Sequence, residues 1–319
     1  MPLIAPSNIQ TEQRLYKRGM KLMGNHFEIT VVGSDEDWAN EMIDSAVAEI
    51  KRIETLLTTF SDSSETALIN QSAGIAPVVV SKETLDLIQR SIKISRLTQG
   101  AFDITYGSID KTLWNFDRSM TALPPADVAQ KMVRLINYKN VVVDEEACTV
   151  FLREKGMRIG FGGIGKGYAA DRAKQVLQRL GVQSGIVNAS GDLTVWGLQP
   201  DGKHWTVGIV HPDLKNLPFS YLNISNRAVA TSGNYEKFVM IGGKKYSHTI
   251  DPKTGLPVTG IKSVTIIAPT AELADAMATP VTIMGIKPGL FMIDQIMGLG
   301  CIIIDDNNKI YTSRNITLK

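Results

Sequence analysis

"GFGGIGKGY", residues 160–168, satisfies two phosphate-binding patterns at once, and which of them holds decides the fold. Read from Gly160 it is G-x-G-x-x-G, the fingerprint that opens a doubly wound dinucleotide domain. It is also G-x-x-x-x-G-K, the start of a triphosphate loop. That loop needs a hydroxyl after its lysine to help hold magnesium, but here Gly167 follows Lys166. The dinucleotide domain needs an acid about 20 residues on. The matching stretch "RLGVQSGIV" (179–187) has none, and the next acid is Asp192. Both patterns usually open a domain, whereas this one lies mid-chain. Neither holds, so no parallel nucleotide-binding sheet is implied.

Working outward, "MRIGF" (157–161) reads as a short strand feeding the glycines, and "YAADRAKQVLQRLG" (168–181) as a helix ended by Gly181. Upstream, "GMKLMGNHFEITVVG" (19–33) reads as a strand or hairpin. Ser34 stands before Asp37 in capping-box spacing, and Met42, Ile43, Ala46, Val47, Ile50, Ile53 and Leu57 give a helix from about 35 to 58. "TTFSDSSETALINQSAG" (58–74) is a polar loop with one helical turn at most. A second helix runs from its N-cap Ser81 to Gly100, with Leu85, Ile88, Ile92 and Leu97 on one side. A loop carrying Trp114 and Pro124-Pro125 leads to "NVVVD" (140–144) and "CTVFL" (148–152), a hairpin. Downstream, "SGIVNASGDLTVWG", "WTVGIV", "YLNIS", "RAVATSG" and "SVTIIAP" read as strands. "AELADAMAT" (271–279) begins a helix, and "GCIIIDDNNKIYTS" (300–313) closes as a hairpin. Helices and antiparallel-looking strands are mixed rather than alternating, which predicts an α+β fold. With no repeat and no low-complexity linker, the reading is a flexible tether over 1–14 and one compact unit over 15–319.

The 319 residues carry 34 basic and 32 acidic side chains, a net charge of +2 that gives no reason to expect nucleic acid or an anionic membrane surface as partner. No apolar run reaches the ~20 residues of a membrane span. Cys148 and Cys301 form no C-x-x-C pair and read as small hydrophobes in strands. "MPLIAPSNIQTEQRLYKRG" (1–19) lacks the basic-then-apolar order of a signal peptide. The protein is then cytoplasmic, or its leader has been trimmed.

Beneath the failed patterns the physics stands. Gly160, Gly162, Gly163 and Gly165 between a strand and a helix expose backbone N–H groups at the positive end of a helix dipole, and Lys166 adds a full charge. Such a loop suits a pyrophosphate. It equally suits a tight turn that needs glycine for positive φ. In "AELADAMATPV", Asp275 and Thr279 lie four apart, so a helix sets both oxygens on one face. A carboxylate and a hydroxyl, completed by waters and phosphate oxygens, are a common magnesium set, although Asp275 alone reads as a solvated charge. Pro280 frees the carbonyl of Ala276 and either kinks the helix or ends it early. In "YSHTIDPKTGLPV", His248 and Asp251 run into a turn on Pro252 and Gly255. His248 could take a proton from an attacking hydroxyl or simply bond the backbone. His26, His204 and His211 receive no role.

In order, "LMGNHFEI", "GAFDIT", "GGIGKGYAADRA", "VNASGDLTVWG", "VATSGNYEKF", "HTIDPKTGLPV" and "ADAMAT" resemble the ApbE family of FAD:protein FMN transferases, from about Met23 to Gly285. The resemblance implies one α+β unit with T-fold-like halves. It implies that FAD is cut at its pyrophosphate with Mg2+, that FMN passes to a threonine or serine of an acceptor flavoprotein such as a redox-pump subunit, and that AMP leaves. Some members instead mainly hydrolyse FAD to FMN and AMP; a flavin-binding protein without chemistry is the remaining alternative. Carried over by position, the metal site falls on Gly163, Asp275 and Thr279, and the catalytic histidine on His248. Flavin contacts fall on Met23, Phe60, Ala101, Phe102, Asp103, Lys166 and Ile250. Phe60 and Phe102 suit the ring systems or the core equally. Gly160-Phe161 stands where many members have Asp-Leu, Phe60 where tyrosine is frequent, and Ser190 and Pro280 where smaller residues are usual. The resemblance also implies an exported, periplasmic enzyme; a lipid anchor on a leader ahead of this sequence stays an open alternative.

Overall fold

Alternating residues open the fold. Arg14–Leu22 (β1) pairs antiparallel with Asn25–Gly33 (β2) across Met23 and Gly24, both at positive φ (50° and 71°), as a two-residue hairpin turn of matching twist demands. The computed structural model describes residues 12–110, 112, 120–210, 218–233 and 238–316. The expected tether as far as residue 11, Trp114 and His211 lie outside the described residues.

Helix α1 (Glu36–Leu57) buries the predicted apolar stripe, but its cap is Asp35, whose side chain accepts the Trp38 N–H at 2.7 Å, rather than Ser34. The stretch read as a polar loop holds a two-turn helix, α2 (Glu65–Gln71), because Ser64 caps it and Ala67 and Ile69 reach the core. After β3 (Val78–Val79) comes α3 (Lys82–Leu97), capped by Ser81 and closed where the Gly100 N–H, at φ 83°, bonds the Ser95 carbonyl. A 3-10 helix (Ile104–Ser108) and α4 (Ala126–Met132) precede the hairpin of β4 (Val141–Asp144) and β5 (Thr149–Leu152). Cys148 is not in a strand: it sits in the turn at φ 49°, while Cys301 is buried in a strand as expected. Residues 157–161 are not a strand either. Their ladder partners are replaced by Asn70 of α2, which accepts the Ile159 N–H and donates to its carbonyl, and by the Ile104 carbonyl, which takes the Gly160 N–H.

Helix α5 (Gly165–Arg179) leads to β6 (Gly185–Ala189) and β7 (Asp192–Trp196), then β8 (Trp205–Val210), β9 (Pro218–Ile224) and β10 (Arg227–Gly233). A hairpin of β11 (Phe238–Ile241) and β12 (Lys244–Ser247) was not legible beforehand. The chain ends with β13 (Ile261–Ala268), α6 (Ala271–Met284), α7 (Ile286–Asp294), β14 (Gly300–Asp305) and β15 (Ile310–Thr312). Pro280 does not end α6, which continues to Met284.

Eight strands form one antiparallel sheet in the order β1-β2-β6-β7-β10-β13-β14-β15, so two four-stranded halves meet where β7 pairs with β10. Each half carries helices on the same face, α1 and α5 in one and α6 and α7 in the other; the α+β expectation holds. The main core lies between sheet and helices, from Phe27, Ile29 and Val31 to Val264, Ile266 and Ile303. On the opposite face, the β8–β9 hairpin covers Val229, Ile267 and Ile302. That second cover explains why β13 and β14 are buried along their whole length and read as unbroken apolar runs.

Ser190 and Gly191 join β6 to β7 at φ 56° and 99°. A serine there bears left-handed strain that glycine would not. Ser190→Gly is therefore expected to raise unfolding stability by about 0.5–1 kcal/mol in urea titration, net of glycine's entropy cost.

Candidate functional site

Helix α5 starts without a side-chain cap of its own at Ile164. Its first-turn donor, the Gly167 N–H, is instead accepted by Asp275 Oδ2 of α6 at 3.1 Å. In return Asp171 of α5 accepts the Ala271 and Glu272 N–H groups of α6 at 3.0 and 2.8 Å. Each helix thus caps the other. The crossing is close enough that a Cβ on Gly167 would lie 2.1 Å from the Ala271 carbonyl oxygen.

That contact replaces the turn reading of the glycines: Gly160, Gly162, Gly163, Gly165 and Gly167 are all absent from the positive-φ set. Gly160 and Gly162 look onto open space, and a Cβ on Gly163 would lie 3.6 Å from the Phe102 ring. One on Gly165 would meet Phe161 at 3.2 Å, Leu57 at 3.8 Å and Met23 Cε at 3.9 Å. The loop is bare where a ligand can approach and tight where helices and core close on it.

Lys166, which adds a full positive charge at the loop, touches Asp192 at the start of β7 and lies 3.8 Å from Asp275 Oδ1. Burial first, and then the neighbouring Asp192 charge, push the Asp275 carboxyl up to about 7, against the pull of Lys166 and the α5 amides. Asp192 escaped the sequence reading because it was weighed only against the dinucleotide spacing; Asp171 gave no signal apart from its place in the motif. Thr279 lies half-buried one turn beyond Asp275 on α6, as the spacing required.

Of the remaining expected residues, Phe102 and Met23 approach the loop. Ala101 and Phe102 are buried, and Phe102 stands against Gly163. The Asp103 carboxylate is taken up locally: it accepts the Thr105 N–H and hydroxyl and the Tyr138 N–H, so it shapes the segment that presents Phe102. Met23 crowns its hairpin beside Gly165. Phe60 follows Leu57 off the end of α1 and is 100% exposed, which rules out a core role. Ile250 is buried and its backbone amide reaches the Tyr106 hydroxyl, tying the histidine segment to the 3-10 helix after Asp103. His248 is exposed just beyond β12. Asp251 holds its own turn, accepting the Lys253 N–H and the Thr254 hydroxyl.

A cavity of about 660 Å³ opens elsewhere, between α3, α5 and the start of α6. Some of its polar groups pair with one another, Arg90 with Glu272 at 2.6 Å and the Tyr168 hydroxyl with Glu83 at 2.5 Å. At the loop an amide donor, a lysine and two acids meet, with Thr279 one helical turn beyond Asp275. Such a set can hold a phosphate anion and a hard cation together.

Residues 23–303 match the ApbE family. A FAD:protein FMN transferase of Klebsiella pneumoniae (strain 342) is 31% identical over 306 residues, 95% of this chain and 93% of that protein. One of Salmonella typhimurium is 31% identical over 272 residues, 83% of this chain and 77% of that protein. Among crystal structures, the ApbE protein of Thermotoga maritima superposes with a TM-score of 0.84 at 30% identity, covering 94% of this chain and 97% of that one. The fold is shared as well by the flavin transferase ApbE from Vibrio cholerae, with a TM-score of 0.82 at 24% identity over 95% and 98% of the two chains.

The close crossing can be tested directly. Gly167→Ala is expected to cost about 2–3 kcal/mol of stability by overpacking against backbone. Gly160→Ala, which meets nothing within 4 Å, should change stability by less than about 0.5 kcal/mol. Denaturant titration of the two variants checks the contrast.

Proposed function

The chain belongs to the ApbE family of FAD:protein FMN transferases, and we propose that it cuts FAD at the pyrophosphate with magnesium, passes FMN to a threonine or serine of an acceptor flavoprotein, and releases AMP. The observation that carries this reading is the meeting of Asp275 with the N-terminus of α5 beside Lys166. A buried acid beside a second acid, one helical turn from a hydroxyl, is a hard-oxygen site with surplus negative charge, and that fits magnesium. Asp275, Thr279 and the Gly163 carbonyl would hold the ion. When bound, it supplies charge stabilisation on the transferring phosphoryl group.

The chain's own groups do the rest. Loop amides and Lys166 orient the diphosphate, and Met23, Phe60 and Phe102 offer apolar surface to the ring systems. His248 takes the proton of the acceptor hydroxyl as that oxygen attacks the phosphorus of the FMN half. The bond from this phosphorus to the bridging oxygen breaks, and AMP leaves with that oxygen. If water replaced the acceptor, the same site would yield free FMN and AMP. Passive flavin binding would require neither the acid–hydroxyl pair nor the histidine. For the place of action we propose the periplasm, supported by the resemblance alone.

Incubation with FAD, magnesium and a candidate acceptor, followed by mass spectrometry, separates transfer from hydrolysis. FMN-bearing acceptor is expected; AMP release with unlabelled acceptor would leave the diphosphatase. Asp275→Asn, which keeps an acceptor oxygen for the Gly167 N–H where alanine would leave it bare, should cut AMP release at least about a hundredfold, as should EDTA on the wild type. His248→Ala should slow transfer by about 10²–10⁴-fold while FAD affinity stays within about threefold. Equal losses in both would make His248 a binding residue.

A further inference from the structure

We infer that Asp192 makes binding of the flavin dinucleotide conditional on the divalent cation, because its carboxylate leaves the cation-free site with a net negative charge that opposes the pyrophosphate. The inference rests on the reading above that FAD and magnesium meet at this loop. Lys166 touches Asp192 and lies 3.8 Å from Asp275 Oδ1, so one ammonium serves two acids. The two acid side chains keep only 5% and 9% of their exposure, so solvent screens them poorly. At mildly alkaline pH, where both acids are ionised, the three charges sum to −1.

A pyrophosphate approaching the loop without a cation meets this surplus, and meets a lysine already engaged. The α5 N-terminus offsets only part of it, since its Gly167 N–H is already given to Asp275. Two added positive charges reverse the sign to +1. With a neutral residue at 192, Lys166 would balance Asp275 alone and the empty site would be neutral. The condition therefore comes from Asp192, a positioning residue that acts through Lys166. Asp192 also accepts the Thr231 backbone N–H, a bond between β7 and β10 that an asparagine oxygen can keep. Its structural part and its charge are thus separable. Linkage makes the coupling mutual: whatever magnesium adds to FAD affinity, FAD adds to magnesium affinity.

Binding in the absence of turnover tests this. FAD affinity is measured by fluorescence quenching in EDTA and in magnesium, at mildly alkaline pH, with no acceptor present and before any AMP is released in the magnesium arm. Wild type should bind FAD at least about tenfold more weakly in EDTA. In Asp192→Asn that ratio should collapse to within about threefold, because affinity in EDTA rises, and Asp192→Glu should restore it. Lys166→Met should move the other way: magnesium alone, titrated calorimetrically, should bind more tightly than to wild type, since two acids are left without their ammonium. An Asp192→Asn protein that keeps the wild-type ratio, or loses FAD affinity equally in both buffers, would overturn the inference. Should that variant fail to fold, the Lys166→Met titration decides, and unchanged or weaker magnesium binding overturns it. A wild type indifferent to magnesium would overturn the magnesium reading as well.

Discussion

Two helices that start at the same place must both find partners for their first amide groups, and here each finds them on the other. Asp171 of α5 takes the amides of α6, and Asp275 of α6 takes an amide of α5. Gly167 permits the approach, because any side chain there would run into the Ala271 carbonyl. Buried carboxylates are costly unless well bonded, and this exchange satisfies both while fixing the angle at which the helices cross. The loop before α5 inherits that rigidity. Gly160 and Gly162 turn bare backbone outward, while Gly165 packs against Phe161 and the core.

The sheet explains why the crossing sits where it does. One half carries α5 and the other α6, and the halves are stitched by β7 and β10. Asp192, at the first residue of β7, belongs to the seam and still reaches Lys166. The loop thus draws on both halves, with Met23 and Phe102 closing it from the side of α1 and α3.

The architecture was legible wherever a local pattern controlled it. The stripe of α1, the Ser81 cap, the terminal hairpin and the four-residue spacing of Asp275 and Thr279 all follow from neighbours in sequence. Features settled by distant partners were not legible. Asn70 stands in for a strand beside Ile159, and nothing in "MRIGF" announces this. Cys148 belongs to its turn because β5 begins one residue later, a boundary that alternation cannot resolve. The glycines pointed to tight backbone, and the tightness proved to be between helices rather than within a turn. The acid partners of Lys166 were not legible because they arrive from 26 and 109 residues away in sequence.

That last separation has a consequence for how the protein comes into being. Asp275 lies 108 residues beyond the amide it caps, so a chain still emerging from the ribosome can build α5 and its glycine loop long before the cap exists. Closing so long a connection is slow compared with winding a helix. The nascent protein therefore passes through a stage with most of its strands laid down and the α5 N-terminus uncapped, and the cap arrives only when about the last sixth of the polypeptide folds back.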